Sequence, residues 1–534
     1  MSRKLLVAAA TGLAAILLFR VVATWTMPAA SLAALTPDDA YYYFQVAQNV
    51  ARGNGFSFDG LRPTNGYHPL WMMVCAAIAQ IQGADVAPAS LTLYVRLMLT
   101  IQLLFGGTAA ALLAYAVGRG LRSANAAAIV LAGFATPWLV YASSDGLESG
   151  ASLLAMSALF LAALRDRPFT SDPRKEDLAF GALLSIGFLA RLDYAFLCVG
   201  VALIATARAC GLPAGKRLIW LVAKGFAWGA PVVALAAVYL LLNRMRFDTT
   251  MPISGAIKST FPEVHFQAKW LLQHIAPMGA GAAGVAITAL LWTRRGTWPD
   301  GYAMLACGSA FILLHSIYAL LFVHWAVHAW HFTGFWPVAL VAAAWAIGEV
   351  VRARLSLRWL PALAVAGALL IGVAGQWRFF HGRSDLAFQA RSYDAAQWAR
   401  GHIPQHEIVG MSDCGTFGFY RGNLVVNLDG VVNDRAYQDA LVSEGLAKYL
   451  ADREVGFIAH HAVDTKRVAI GYDKYEYNAY SRLYRKPGGS IVLRERDEIY
   501  RSTPYDDGTG LKVFVIWRVP GVPNLRQRRM PRGS

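Results

Sequence analysis

The sequence predicts a polytopic α-helical membrane protein with a small α/β domain at its C-terminal end, and three observations carry that prediction. Of the 534 residues, 56% are hydrophobic and 15% are charged, whereas a soluble chain of this length carries far more charge. The apolar residues gather into runs long enough to cross a bilayer, which takes ~20 residues each. From about Trp377 onward the pattern changes to short alternating strand-like runs and amphipathic helical ones. A formal charge of +16 accompanies this composition. No basic block dominates it, so nucleic acid is not an expected partner. Arg and Lys stand in small groups between apolar runs, as membrane topology requires. The five cysteines are scattered without a CxxC pair, which argues against a disulfide framework or a zinc site.

The first run, Leu5 to Trp25 after Arg3-Lys4, is long and precedes further spans, so it reads as a retained signal anchor rather than a cleaved leader. It leaves the N-terminus in the cytoplasm and delivers residues 28–90 to the opposite face. Within that loop a helical pattern runs through Tyr42, Val46 and Val50. Pro69 to Ile81 is apolar but short, which suits a helix lying at the interface. Further spans are expected at Leu91–Val117, Ala124–Tyr141, Gly150–Leu164, Leu178–Leu189, Ala195–Ala207 and Leu218–Leu242, then at 270–293, 302–323, Phe332–Val350 and Leu360–Val373. The total is about eleven by length and hydropathy. An odd count places residues 377–534 in the same compartment as the first loop. There Glu407–Gly410, Leu424–Leu428, Gly456–Ala459 and Lys512–Trp517 read as strands, and Tyr437–Asp452 as a helix. The basic tail from Arg526 to Arg532 reads as disordered. The expected division is 1–376 for the membrane domain and 377–534 for the extracytoplasmic one.

Asp38-Asp39, just past the first span, is the most informative pair. Thr36-Pro37-Asp38-Asp39 is good helix-capping chemistry, yet capping occupies one carboxylate, and charge beside a membrane span is costly and rarely idle. One carboxylate can act as a general base while the other orients a neighbour, a substrate or a metal. The residues alone do not choose between the two. Glu148 sits at the outer end of a span, where it could cap the next helix. Arg191-Leu192-Asp193 could be a local ion pair. Met251 to Thr260 is a small polar loop whose Lys258, Ser254 and Ser259 suit a phosphate. His324, His328 and His331 are spaced i, i+4, i+7, as on one helical face, but no carboxylate follows, and interleaved Trp residues favour an interfacial belt over a metal site. Asp413–Gly418 and Asn427–Gly430 are strand-to-loop turns.

The string from Asp38-Asp39-Ala40 through Asn49, Gly53 and Gly55 to Asn65-Gly66-Tyr67-His68-Pro69-Leu70-Trp71 resembles the GT-C superfamily of integral-membrane glycosyltransferases, in the branch with polyprenyl-phosphate-sugar-dependent arabinofuranosyltransferases. The resemblance covers about the first 75 residues. It implies that the first acidic residue of the loop, Asp38, is the base. It also implies functional roles for Glu148, although Leu147 and Ser149 depart from the family string, and for Lys258 in Pro252-Ile253-Ser254-Gly255-Ala256-Ile257-Lys258. Leu192 departs from the family pattern around Arg191. On this reading Lys258, Ser254, Arg191, Glu148 and His331 hold the donor, while Asn65, Tyr67, His68 and Asp429 contact the acceptor or serve structure. A paired Asp-Asp leaves room for a divalent cation, but the superfamily includes metal-independent members, so no cofactor is implied.

No GxGxxG follows a strand, so a nucleotide-sugar domain is not indicated. The implied reaction is inverting transfer of a sugar, arabinofuranose or a hexose such as mannose, from a polyprenyl-phosphate donor to a glycan, glycolipid or protein of the cell envelope. The expected location is a bacterial inner membrane, with the active face periplasmic. Two other classes fit the composition: a transporter or flippase of lipid-linked glycans, and a non-catalytic glycan-binding scaffold. A transporter predicts Gly/Pro-broken spans in matched halves, and the polar residues here gather on one face instead.

Overall fold

A computed structural model of the chain describes residues 2–520 except 326, 382–385, 423 and 464–473; the basic tail at 526–532 lies outside the described residues. Among the described residues, eight helices are long and apolar enough to cross a membrane: Arg3–Thr26, Pro88–Gly120, Leu192–Cys210, Ala214–Phe247, Ile275–Thr297, Pro299–Phe322, Phe335–Ala353 and Leu355–His381. Three further runs expected to span are shorter helices, Ala124–Phe134, Ser149–Arg165 and Glu176–Ala190, of 11, 17 and 15 residues. At 1.5 Å per residue each falls short of the ~30 Å hydrocarbon core. Ser149–Arg165 begins at the polar turn Ser143–Glu148, and Glu176–Ala190 ends at Arg191. Buried residues of the spanning helices, such as Leu113, Met156, Phe311 and Trp345, form one continuous apolar core.

A second core joins the first loop to the C-terminal domain. The loop helix Asp38–Ala51 buries ten consecutive residues from Ala40 to Asn49, because the domain covers the face that the membrane bundle does not. Tyr41 packs on Phe419 and Tyr420 with ring centroids 5.3 and 5.5 Å apart. The helix Pro69–Gln82 packs beside it, started by proline at its first turn. Two glycines permit the closest approaches. A Cβ on Gly415 would stand 2.1 Å from the Asp38 carbonyl oxygen, and one on Gly66 would stand 2.0 Å from that of Val431.

The domain holds strands β1 (Ile408–Met411), β2 (Val425–Asn427), β3 (Val455–Val463), β4 (Lys474–Ser481), β5 (Lys486–Arg494), β6 (Glu498–Arg501), β7 (Tyr505–Asp506) and β8 (Leu511–Arg518). The main sheet runs β2-β1-β3-β8-β6, with β7 also on β8, and β4-β5 form a separate hairpin. Strand β1 is parallel to β2 and β3, and β8 is antiparallel to β3. The turn after β1 therefore opens the short helix Gly415–Arg421, whose first residues meet the first loop.

Three features differ from the sequence reading. The helix expected over Tyr437–Asp452 is broken into Arg435–Ser443 and Leu446–Asp452 by Gly445 at φ 82°, a left-handed turn that glycine adopts without strain. The hairpin β4–β5 and the helix Leu386–His402 are additions that the sequence pattern does not announce. His324, His328 and His331 do not share a helical face: the helix ends at Phe322, Val323 is extended and bridges Ser259, and His331 lies in a separate turn, Ala329–Phe332.

Candidate active site

Asp38 and Asp39 open the helix Asp38–Ala51 behind Pro37, and neither side chain caps it. Asp38 reaches instead to the C-terminal domain. Its two carboxylate oxygens accept the backbone N–H groups of Gly415 and Thr416, each at 2.8 Å. The first turn of one helix is thus bound by the N-terminus of another, whose orphan donors and positive dipole end favour an anion. Burial pushes the Asp38 carboxyl up to about 7 against the pull of these bonds. Asp39 has no hydrogen-bond partner among the described residues. Burial also pushes its carboxyl above the ordinary range; Lys258 opposes the shift and Glu148 adds to it. The neighbouring carboxylates therefore differ, one tethered and one free.

A cavity of about 340 Å³ is lined by Tyr67, His68, Arg191, Ser254, Lys258 and His331 among others, and Asp39 feels the charge of its Lys258. Its apolar wall comes from Phe196, Ala319, Val323 and Phe332. The segment bearing Ser254 and Lys258 is hung from two supports. Asn65 accepts the Ile253 N–H at 2.9 Å and donates to Asn243, Thr249 and the Met251 carbonyl. The His324 N–H donates to the Lys258 carbonyl at 3.1 Å. The Lys258 ammonium itself has no ion-pair or hydrogen-bond partner among the described residues.

Arg191 is held differently. It pairs with Glu148 at 2.5 Å and with Asp193 at 2.7 Å, and its side chain is only 2% exposed. Burial works against its charge, but Asp193 and Glu148 outweigh it. Burial likewise pushes the Glu148 carboxyl up, and His68 and Arg191 reverse this, leaving it below the usual carboxylate range. Glu148 also accepts the Tyr43 hydroxyl at 2.9 Å, and Tyr43 accepts the His68 N–H at 3.0 Å. His68 takes the Leu192 N–H on Nδ1, and burial lowers its pKa. Burial and the nearby Lys258 hold the His331 ring well below the usual histidine range, so it is neutral at pH 7.

Six of the residues singled out in the sequence, Tyr67, His68, Arg191, Ser254, Lys258 and His331, thus meet at one cavity, with Glu148 as a buried strut behind it. Four others, Asp38, Asp39, Asn65 and Asp429, do not line it. Asn65 is committed to the Lys258 loop. Asp429 is committed within the domain: it accepts the Asp413 N–H at 2.7 Å, the Val431 N–H at 2.8 Å and the Tyr42 hydroxyl at 3.3 Å. Both side chains are thus engaged by neighbouring segments of the chain. The sequence reading overlooked Tyr43 and His315. His315 approaches Asp193 to 3.8 Å from within an apolar span, and a lone imidazole in such a run was the available signal. Among the described residues no group of three or more His, Cys, Asp or Glu side chains is arranged to hold a metal.

Residues 383–504 match a family described as Domain of unknown function (DUF8728). No curated protein matches the chain. Among solved structures, ArnT from Cupriavidus metallidurans bound to undecaprenyl phosphate aligns at 14% identity over 90% of this chain and 98% of its own, with a TM-score of 0.55. Its apo form aligns at 13% identity over 91% and 98%, with a TM-score of 0.53. The oligosaccharyltransferase AglB from Archaeoglobus fulgidus, in complex with an inhibitory peptide and a dolichol-phosphate, aligns at 14% identity over 86% and 69%, with a TM-score of 0.47. At these identities the ArnT alignments establish a shared fold.

Proposed function

We propose that this chain, which has the GT-C fold of membrane glycosyltransferases, transfers a sugar from a polyprenyl-phosphate donor to a hydroxyl of a glycan, glycolipid or protein acceptor. The supporting observation is a carboxylate without a hydrogen-bond partner among the described residues, Asp39, that feels the charge of the Lys258 ammonium, which lines a mainly apolar cavity. The undecaprenyl phosphate bound to ArnT adds the lipid phosphate as the kind of ligand such a cavity takes. The donor enters between spans, its prenyl chain against the apolar wall and its phosphate on Lys258 and Ser254. The acceptor oxygen attacks the anomeric carbon from the side opposite the phosphate. The bond from that carbon to the phosphate oxygen breaks with its electron pair going to the phosphate, where Lys258 meets the added charge. The hydroxyl proton passes to a carboxylate. The products are an inverted glycoside and polyprenyl phosphate.

The family resemblance gives the proton to Asp38. The geometry favours Asp39, because Asp38 already accepts two amide hydrogens and Asp39 accepts none. Asp38 then acts as the tether that holds Asp39 within reach of the Lys258 charge. Arg191, saturated by two carboxylates, sets the shape of the wall rather than gripping the phosphate. In this proposal residues 1–376 form the catalytic membrane domain. The site and residues 377–534 face the periplasm of a bacterial inner membrane, with the N-terminus in the cytoplasm. Arabinofuranose is the first donor sugar to try, and mannose the second.

The test is incubation of the purified full-length protein in lipid nanodiscs with a panel of synthetic polyprenyl-phosphate pentoses and hexoses, with chromatographic detection of released polyprenyl phosphate. Release dependent on Asp39 and Lys258 is expected. Transbilayer movement of an intact donor without release would identify a transporter instead, and binding without either would identify a scaffold.

A further inference from the structure

A second cavity has no part in this chemistry. It has a volume of about 1220 Å³ and lies at the helix ends remote from Asp38, between the start of the first span, the end of Pro88–Gly120, the start of Ala124–Phe134 and the end of Ser149–Arg165. Its volume exceeds the ~300–1,000 Å³ of common small-molecule sites. Its walls are built from small side chains (Ala10, Ala111, Ala114, Gly118, Ala124 and Ala127), which leave an open apolar slot between the helices. At its mouth stand Arg119, Arg122 and Arg165. Arg165 is bonded to Asp166 at 2.8 Å. Arg119 and Arg122 are exposed and have no side-chain partner among the described residues. Between them and the slot, Ser123 caps the 11-residue helix Ala124–Phe134 by accepting the Ala126 N–H, which directs the positive end of that helix toward the same opening.

Arginines at this face have a simpler use in fixing topology, but that use needs no cavity behind them. An apolar slot beneath two unpaired guanidiniums and a helix N-terminus fits a molecule with a hydrocarbon body and an anionic head. We propose that this slot is a binding site for an anionic phospholipid, whose acyl chain occupies the slot and whose phosphate is held by Arg119 and Arg122. The site is separate from the proposed donor cavity and stands or falls independently of the transferase reading.

Native mass spectrometry of the full-length protein, loaded with equimolar dioleoyl phosphatidylglycerol and dioleoyl phosphatidylcholine, tests this. The wild type should retain phosphatidylglycerol over phosphatidylcholine by on the order of tenfold, given that each arginine contributes about fivefold near an anionic headgroup. The double variant Arg119→Gln/Arg122→Gln should bring the two lipids to parity while melting at the wild-type temperature in phosphatidylcholine. Ala111→Trp, which fills the slot and keeps both arginines, should lower retention of both lipids; it carries the test if the double variant does not fold. Equal retention of the two lipids by the wild type, or preference persisting in the double variant, would overturn the proposal. Displacement of phosphatidylglycerol by millimolar inorganic phosphate would also overturn it, in favour of a simple anion site.

Discussion

Asp38→Asn and Asp39→Asn each remove one charge from adjacent positions, and in the proposed mechanism the two losses differ in kind. Asp39 is assigned the proton, so its amide should lower kcat by about 10²–10⁴ with little change in donor KM, the usual loss for a positioned base. That is about 3–5 kcal/mol of barrier at 25 °C. Asp38 is assigned a tether, and its amide should keep turnover within about tenfold. Its effect should appear in the pH dependence of stability. A carboxyl raised from an ordinary value to about 7 binds its proton more tightly folded than unfolded. The wild type therefore loses stability as pH rises from about 4 to about 7, a loss on the order of 4 kcal/mol. Asparagine carries no such slope. It gives up one of two amide acceptors, which costs about 1–3 kcal/mol at every pH. Raising the pH from 5 to 8 should thus lower the melting temperature of the wild type relative to Asp38→Asn. Melting curves from intrinsic tryptophan fluorescence, alongside initial rates of polyprenyl phosphate release, read both effects on the same preparations. If Asp38→Asn were inactive with parallel melting curves at both pH values, and Asp39→Asn retained turnover, the assignment would be refuted and the base would be Asp38.

Lys258→Gln should raise the donor KM by about 10- to 100-fold, the value of one charge-assisted hydrogen bond to phosphate. Because Lys258 lowers the Asp39 carboxyl, its removal should also move the acidic limb of the rate profile to higher pH, since the active form of that carboxyl is the deprotonated one. Asn65→Ala releases the Lys258 loop from its hydrogen bonds and should raise KM several-fold while leaving the limb in place, as steady-state rates against pH would show. Arg191→Met strands two buried carboxylates and should cost about 3–5 kcal/mol, visible as a lower melting temperature or loss of monodisperse protein on size-exclusion chromatography. Gly415→Ala places a Cβ 2.1 Å from the Asp38 carbonyl oxygen and should loosen the domain contact, giving faster proteolysis at the junction and a lower rate.

The eight long apolar helices were legible because hydropathy is a local property of the chain. Pro69 starting a short apolar helix was equally local. The partners of Asp38 were not legible: Gly415 lies 377 positions away, and nothing in Asp38's own neighbourhood says that its carboxylate leaves its helix to cap another. Asn65 illustrates the same limit, since its bonds to Ile253 and Asn243 depend on how two distant loops meet. The histidine face failed for a different reason. Spacing assumes an unbroken helix, and the pairing of Ser259 with Val323 ends the helix before the first histidine. Gly445 was visible in the sequence, and its power to break the Tyr437–Asp452 run was underweighted.

The contact of Gly415 and Thr416 with Asp38 makes the C-terminal domain a keystone. Removing residues beyond 376 would take away the two amides that hold Asp38 and uncover Tyr41, Phe44 and the rest of a fully buried helix face. The helix presenting Asp39 would then have a bilayer surface on one side and water on the other, with nothing to fix its first turn. The surroundings of Asp38 belong to the joint between the two parts, and neither half completes them alone.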